Sequence, residues 1–293
     1  LQTGIRALSV QAYDRIPGVQ GLSGRLSLDT TSGELQVASE KSTLHMPRLF
    51  PQPVSLRRAG GRLSWQRNAS QWQIEGSGLE VAAEDGRVNG GFEAHIPHAT
   101  AQSPQLELRL DFANMNGAHA ANYYPVALPE ALRHWLTGAV VSGRVTTGHV
   151  IYSGALRDFP FRAGNGRFEV AAHVTNGVFD YLPGWPVIDN IEADLLFQNA
   201  GLTVTGSRGR IRGLDVSQVV VSVADLRPPD GAKVHVQGRI SGPLHETLGV
   251  LYDSASGKLA EYLPRGLRAT GDGVLDLDIQ VPVRQPRATH WTG

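Results

Sequence analysis

Along this chain a glycine and a polar residue are repeatedly followed by apolar and polar positions in alternation. Gly24-Arg25-Leu26-Ser27-Leu28, Gly61-Arg62-Leu63-Ser64-Trp65 and Gly166-Arg167-Phe168-Glu169-Val170 are three copies. Gly33-Glu34-Leu35-Gln36-Val37 and Gly273-Val274-Leu275-Asp276-Leu277 are looser echoes. Alternation at period two sends the apolar side chains of a strand to one face and the polar ones to the other. It predicts strands over 22–28, 34–39, 42–46, 61–66, 71–75, 79–83, 86–96 and 105–112. A second series covers 143–152, 166–174, 177–181, 191–198, 202–206, 209–211, 215–223, 233–240 and 271–281. Most of the connections are short and carry Gly, Asn, Asp or Ser, as hairpins require.

Two stretches break the pattern. Residues 116–124 read as weakly helical. Residues 129–137 read as a better helix, with Pro129 at its first position, Leu128, Leu132, Trp135 and Leu136 on one side, and Gly138 to end it. The second break joins 243–252, with Leu244, Leu248 and Leu251 on one side, to 258–263. The expected fold is mainly β: a long curled antiparallel sheet forming an open groove, with two short helical insertions. It divides into strands over 1–113, an insertion over 114–140, strands over 141–240, an insertion over 241–265 and a last strand over 266–293, all in one elongated fragment of a larger protein. About sixteen strands spaced ~4.8 Å apart make a sheet roughly 75 Å long. Open sheets beyond about ten strands tend to curl or split.

Such a sheet has an oily side that something must cover. The apolar stripe comprises Leu26, Leu28, Leu35, Val37, Leu63, Trp65, Ile74, Leu106, Leu108 and Leu110, then Phe168, Val170, Leu195, Phe197, Leu202 and Val204. It continues through Val219, Val221, Val223, Val234, Val236, Leu275 and Leu277. One reading makes it an ordinary sandwich core, as in a structural β-repeat scaffold or adhesin with no ligand groove. The other leaves it open for lipid chains. Desorbing a sixteen-carbon chain into water costs on the order of 12 kcal/mol, at ~0.8 kcal/mol per methylene. A trough of Leu, Val and Phe removes most of that cost without directional chemistry, so a chain can slide.

Composition narrows the alternatives. The 293 residues carry 27 Lys and Arg against 27 Asp and Glu, scattered rather than clustered, which argues against nucleic acid as a partner. With no cysteine there is no disulfide framework and no thiolate metal site. No apolar run approaches the ~20 residues that span a bilayer. The start at Leu1 and the 288–293 tail suggest a piece of a longer chain, with any anchor outside it. Among the 10 histidines, His95 and His98 point to opposite faces of a strand and make a poor chelate. The carboxylate pairs Glu192/Asp194 and Asp276/Asp278 alternate with apolar residues and read as solvated outer face. Gly164-Asn165-Gly166 and Gly206-Ser207-Arg208-Gly209 read as hairpin turns rather than phosphate loops. No residues make a positive case for an enzyme, a metal or a cofactor.

Several phrases taken together resemble the YhdP-type proteins of the AsmA-like group. They are Leu128-Pro129-Glu130-Ala131-Leu132-Arg133-His134-Trp135-Leu136, Val141-Ser142-Gly143-Arg144-Val145 and Phe159-Pro160-Phe161-Arg162. Gly166-Arg167-Phe168-Glu169, Leu182-Pro183-Gly184-Trp185-Pro186, Gly201-Leu202 and Gly209-Arg210-Ile211-Arg212-Gly213 complete the set. The resemblance implies a periplasmic protein of Gram-negative bacteria, anchored in the inner membrane by a helix outside this sequence. It further implies a β-groove that helps move phospholipid between inner and outer membranes, akin to the bridge-like lipid transfer proteins of eukaryotes. It carries no catalytic residue, and protein partners stay open.

Overall fold

The computed structural model describes residues 1–13, 16–228, 230–253, 267–283 and 290–292. Its first seven strands are β1 (Gln2–Val10), β2 (Gly18–Leu28), β3 (Ser32–His45), β4 (Val54–Arg67), β5 (Gln71–Ala83), β6 (Arg87–Pro97) and β7 (Gln105–Asn116). A 3₁₀ turn (Gly117–Tyr123) and helix α1 (Glu130–Ala139) precede β8 (Val140–Ala155) and β9 (Arg167–Phe179). Then come β10 (Ile188–Gln198), β11 (Gly201–Ile211), β12 (Leu214–Val223), β13 (Lys233–Pro243), helix α2 (Leu244–Asp253), β14 (Asp272–Pro282) and β15 (His290–Thr292).

The hydrogen-bonded order of the sheet is the order of the chain, β1 to β15, with no crossover. Among the described residues its first and last strands do not meet, so the sheet is not closed into a barrel. The fold is therefore mainly β, one antiparallel meander broken by short helical insertions. It separates into two compact units, Leu1–Arg133 with Thr147–Val170, and His134–Thr146 with Ala171–Gly293.

The strands are longer than the alternation suggested. The segments expected at 34–39 and 42–46 are both within β3, and those at 71–75 and 79–83 within β5. Likewise 166–174 and 177–181 merge in β9, and 202–206 and 209–211 in β11. The cause is β-bulges, which insert an extra residue, bend the strand and shift its parity by one. On β5, Gly76 faces Phe92 while Leu79 faces Gly90: three residues on one strand match two on the other. On β12 the shift falls between Ser217 and Val220, where Gln218 takes a φ of 53°. Gly206 to Gly209 consequently lies inside β11 and is not a hairpin turn.

In the first unit four of the irregularities fall near one another across the strands, at Ile5–Leu8, Gln20–Gly24, Gly60–Arg62 and Gly76–Leu79. They form a bend line crossing the strands, and Gly24 and Gly61 of the recurring phrase lie on it. Gly33 and Gly166 share the same letters but serve another purpose. Each lies beneath an aromatic ring, of Trp65 and Phe161 respectively, where a Cβ would come within 2.3 Å of ring carbons.

The insertions sit at strand ends. Beside the 3₁₀ turn, Tyr123 meets Phe50 edge-to-face at 6.0 Å, and Val126 N donates to Leu49 O at 3.0 Å. Tyr123 donates to Asp85, which His119 also contacts; burial, then Asp85, pushes the Tyr123 phenol up to about 12. Helix α1 passes through Gly138 and runs directly into β8, with Ala139 buried. In the second unit Leu244 of α2 lies over Gly273, and Glu246 lies over Gly213. Ile211, Leu214 and Val216 are buried nearby. The helical piece expected at 258–263 lies outside the described residues.

At the opposite strand ends, the β8–β9 connection folds back as an aromatic cluster. Phe161, 1% exposed, packs against Tyr152 at 5.2 Å between ring centres, and Phe159 meets Phe168 at 5.2 Å.

Candidate functional site

Strand registers show which side chains share a face, because directly paired residues project to the same side. In the first unit one row crosses six strands: Leu26, Leu35, Leu63, Gly76, Phe92 and Leu108. The adjacent row is Leu28, Gly33, Trp65, Ile74, Ala94 and Leu106. Val37 and Leu110 extend the face toward the bend line, where they oppose Gly61 and Gly90. Phe168 and Val170 share one side of β9, with Glu169 between them on the other.

In the second unit the central row is Leu195, Val204, Val221, Val236 and Ile279. Phe197 pairs with Leu202, and Leu202 with Val223. Val219 opposes Gly206, Val234 opposes Val281, Leu277 opposes Gly238 and Leu275 opposes Ile240. Within each unit the stripe residues of β2 to β7 and of β10 to β14 thus share one face. Phe92, Trp72, Ile96 and Ile279 were not placed in the stripe, and the registers add them to those faces. The signal was available in the alternation of Phe92, Ala94 and Ile96.

Burial separates an open face from a packed core. Of the stripe side chains, Val223 alone is buried, at 6%; Leu28 and Leu275 are 36% and 40% exposed. The remainder are half-buried. A sandwich core would hold most of them below the exposure of Val223. Covering half of a Leu or Phe side chain stabilises by about 1 kcal/mol.

The other face is polar and self-satisfied. Glu34, Ser64, Glu75, Glu93 and Glu107 form a cross-strand row. Like charges side by side are unfavourable, and neighbours offset them. Gln73 and His95 reach Glu93 at 2.8 and 2.9 Å, Arg62 reaches Glu34 at 3.6 Å, and Ser153 donates to Glu107 at 2.9 Å. A depression of about 640 Å³ at one end of the strands is lined by residues of both faces: Ser27, Glu34, Ser64, Gln73 and Glu75 of the polar one, and Leu28, Gly33 and Trp65 of the apolar one. The carboxylate pairs are likewise engaged: Glu192 with Arg208, Asp194 with His173, Asp276 with Arg239, and Asp278 with His235 and Gln237. His95 and His98 turn to separate partners, Glu93 and the Asn68 carbonyl. Among the described residues no three His, Asp or Glu side chains gather as metal ligands would.

Glu169 is the buried member of this face. His149 and Arg167 each reach it at 2.9 Å, and those hydrogen bonds, His149 first, hold its carboxyl below the ordinary value of 4.5. A depressed pKa contributes stability above pH 4.5 that is lost as pH falls through the lowered value. Glu169→Gln should therefore be less stable than the parent at pH 7, with the gap closing as the pH falls through the lowered value. Urea unfolding at both ends of that range checks it, and a gap that persists in acid would refute the assignment.

No described helix is long and apolar enough to cross a membrane. No solved structure matches the chain. A curated relative, the intermembrane phospholipid transporter YhdP of Escherichia coli (strain K12), is 25% identical over 280 residues. That alignment covers 94% of this chain but 22% of the relative, so the chain spans under a quarter of its length. The family model described as YhdP protein matches residues 1–293 from end to end. The chain belongs to the YhdP family.

Proposed function

We propose that the apolar face of each unit holds phospholipid acyl chains, and that the chain is a segment of an intermembrane phospholipid transporter of the Gram-negative envelope. The observation that carries this is the pairing of hydrophobic side chains in continuous register on one face, most of them half-buried rather than sealed. Family membership and the relative's name support the same reading. On this view acyl chains lie on the rows with headgroups in water at the strand ends. The residues are those of the stripe, Leu26 to Leu277, with no catalytic step and no cofactor. The full-length protein would act in the periplasm, anchored in the inner membrane by a segment outside this sequence.

A photo-reactive amino acid placed at Leu63 or Val221 should crosslink to phospholipid in cells, and the same probe at Arg62 or Val220, one residue away on the polar face, should not. Native mass spectrometry of the purified chain should find phospholipid bound. Crosslinks of equal yield from both faces, or a chain that emerges empty, would sink the proposal and favour a scaffold.

A further inference from the structure

The apolar rows of the first unit end on a cation. Leu63, Trp65 and Arg67 alternate along one side of β4, and Arg67 pairs with Trp72 of β5, which pairs with Ile96 of β6. This third row runs beside the one that holds Trp65, Ile74 and Ala94. Across the three rows Arg67 is the one charged side chain, and the apolar rows of the second unit carry none. Arg67 is the last residue of its strand. Its N–H donates to the Thr31 carbonyl at 2.7 Å, and the Asn68 side chain then accepts from the Ser70 and Gln71 amides to turn the chain into β5. Trp72 and Ile96 are 36% and 37% exposed, so this row lies where the oily face meets water.

The Arg67 guanidinium carbon lies over the Trp72 ring, 5.8 Å from its centroid. Among the described residues the guanidinium has no carboxylate or other hydrogen-bond acceptor. Asp29, in the adjacent β2–β3 turn, directs its carboxylate to the Thr30 N–H at 2.8 Å. On the polar face, by contrast, Arg62 reaches Glu34 and Arg109 reaches Asp111. A stack on an aromatic ring orients a guanidinium and leaves the N–H donors along its edge available. That fork suits an anion that accepts through two oxygens, as a phosphodiester does. A neutral hydroxyl headgroup offers it weaker acceptors, and an ammonium group meets repulsion.

We propose that Arg67, oriented by Trp72, binds the phosphate of a phospholipid whose acyl chains lie on the Leu63 and Trp65 rows. The inference rests on the acyl-chain reading above and deepens it, by fixing which chemical group of the lipid lies at the β4–β5 end. Inorganic phosphate presents the same oxygens without the tails, and the test separates the two.

The test places a photo-reactive amino acid at Leu63, loads the purified chain from mixed micelles of dioleoyl phosphatidylglycerol and dioleoylglycerol, and identifies the crosslinked lipid by mass spectrometry. The two lipids share tails and differ in the phosphate. The parent should favour the phospholipid by about tenfold over Arg67→Gln, the scale of one charge-assisted contact, while total crosslinking stays constant. Trp72→Leu, which keeps the row apolar, should lower the preference about threefold. Arg109→Gln removes the same charge from the polar face and should leave the preference unchanged; an equal loss there would make the effect one of net charge and overturn the inference. Inorganic phosphate at millimolar concentration identifies the source: a preference that falls shows that phosphate alone occupies Arg67, and one that persists shows that the phosphate binds with its tails. The same preference in the parent and in Arg67→Gln would overturn this inference and leave the acyl-chain reading intact. Crosslinking to neither lipid would overturn both.

Discussion

Leu108→Asp and Phe197→Asp should each leave the chain folded and strip it of lipid. Leu108 ends the row that begins at Leu26, and Phe197 pairs with Leu202 in the second unit. Both side chains are half-buried, so replacing them removes only part of a full burial, about 1 kcal/mol of stability. Against a bound acyl chain the same carboxylate loses its water without gaining a partner. That costs on the order of 3 kcal/mol or more, about a hundredfold in occupancy. A packed core would respond in the opposite proportion: a buried, unpaired charge in a sealed interior unfolds marginal domains outright. Thermal unfolding and bound-lipid counts on the same samples distinguish the two. Variants that lose their fold together with their lipid would return the face to the scaffold interpretation.

Gly90→Ala should have the largest effect on stability of any single methyl added to the first unit. Gly90 has a φ of 150°, and a Cβ built there would lie 2.1 Å from the Arg109 carbonyl oxygen and 2.9 Å from Leu110 Cα. Those are backbone atoms of β7, so no rotamer change relieves the clash. The pairing of Gly90 with Leu110 must break or the bend must open, at a cost of roughly 3 kcal/mol or more. Hydrogen exchange should show the loss in amides of β6 and β7 first. Gly138→Ala is the control: nothing lies within 4 Å of a Cβ there, and the site is exposed within α1, so it should gain about 0.5–1 kcal/mol. Equal effects from both would mean that the bend line tolerates side chains and does not shape the sheet.

The two faces were legible because alternation survives wherever a strand is regular. Leu26 and Leu28, or Leu195 and Phe197, are assigned by their spacing alone. The bulges were not legible, because the residues that take the left-handed conformation are often ordinary ones. Ala7, Lys41 and Gln218, with φ of 52°, 55° and 53°, carry no turn signature, whereas Asn176 and Asn190 do. A broken alternation therefore read as the end of a strand when it marked a bend within one. The missed strand β1 is almost wholly exposed and lacks a clear apolar face. The contact of Trp135 with Phe179 escaped for a different reason: the two are distant in sequence and meet because α1 leads into β8 beside the end of β9.

A meander in which every strand touches only its predecessor and successor makes length a countable quantity. Excising one hairpin, such as β5 with β6, would rejoin strands of matching direction and shorten the first unit's sheet by about 9.6 Å. Excising a single strand would reverse the polarity of everything downstream. Selection can therefore tune the reach of such a protein only in steps of two strands, like links in a chain, and an insertion of a duplicated hairpin would lengthen it without redesigning any neighbour.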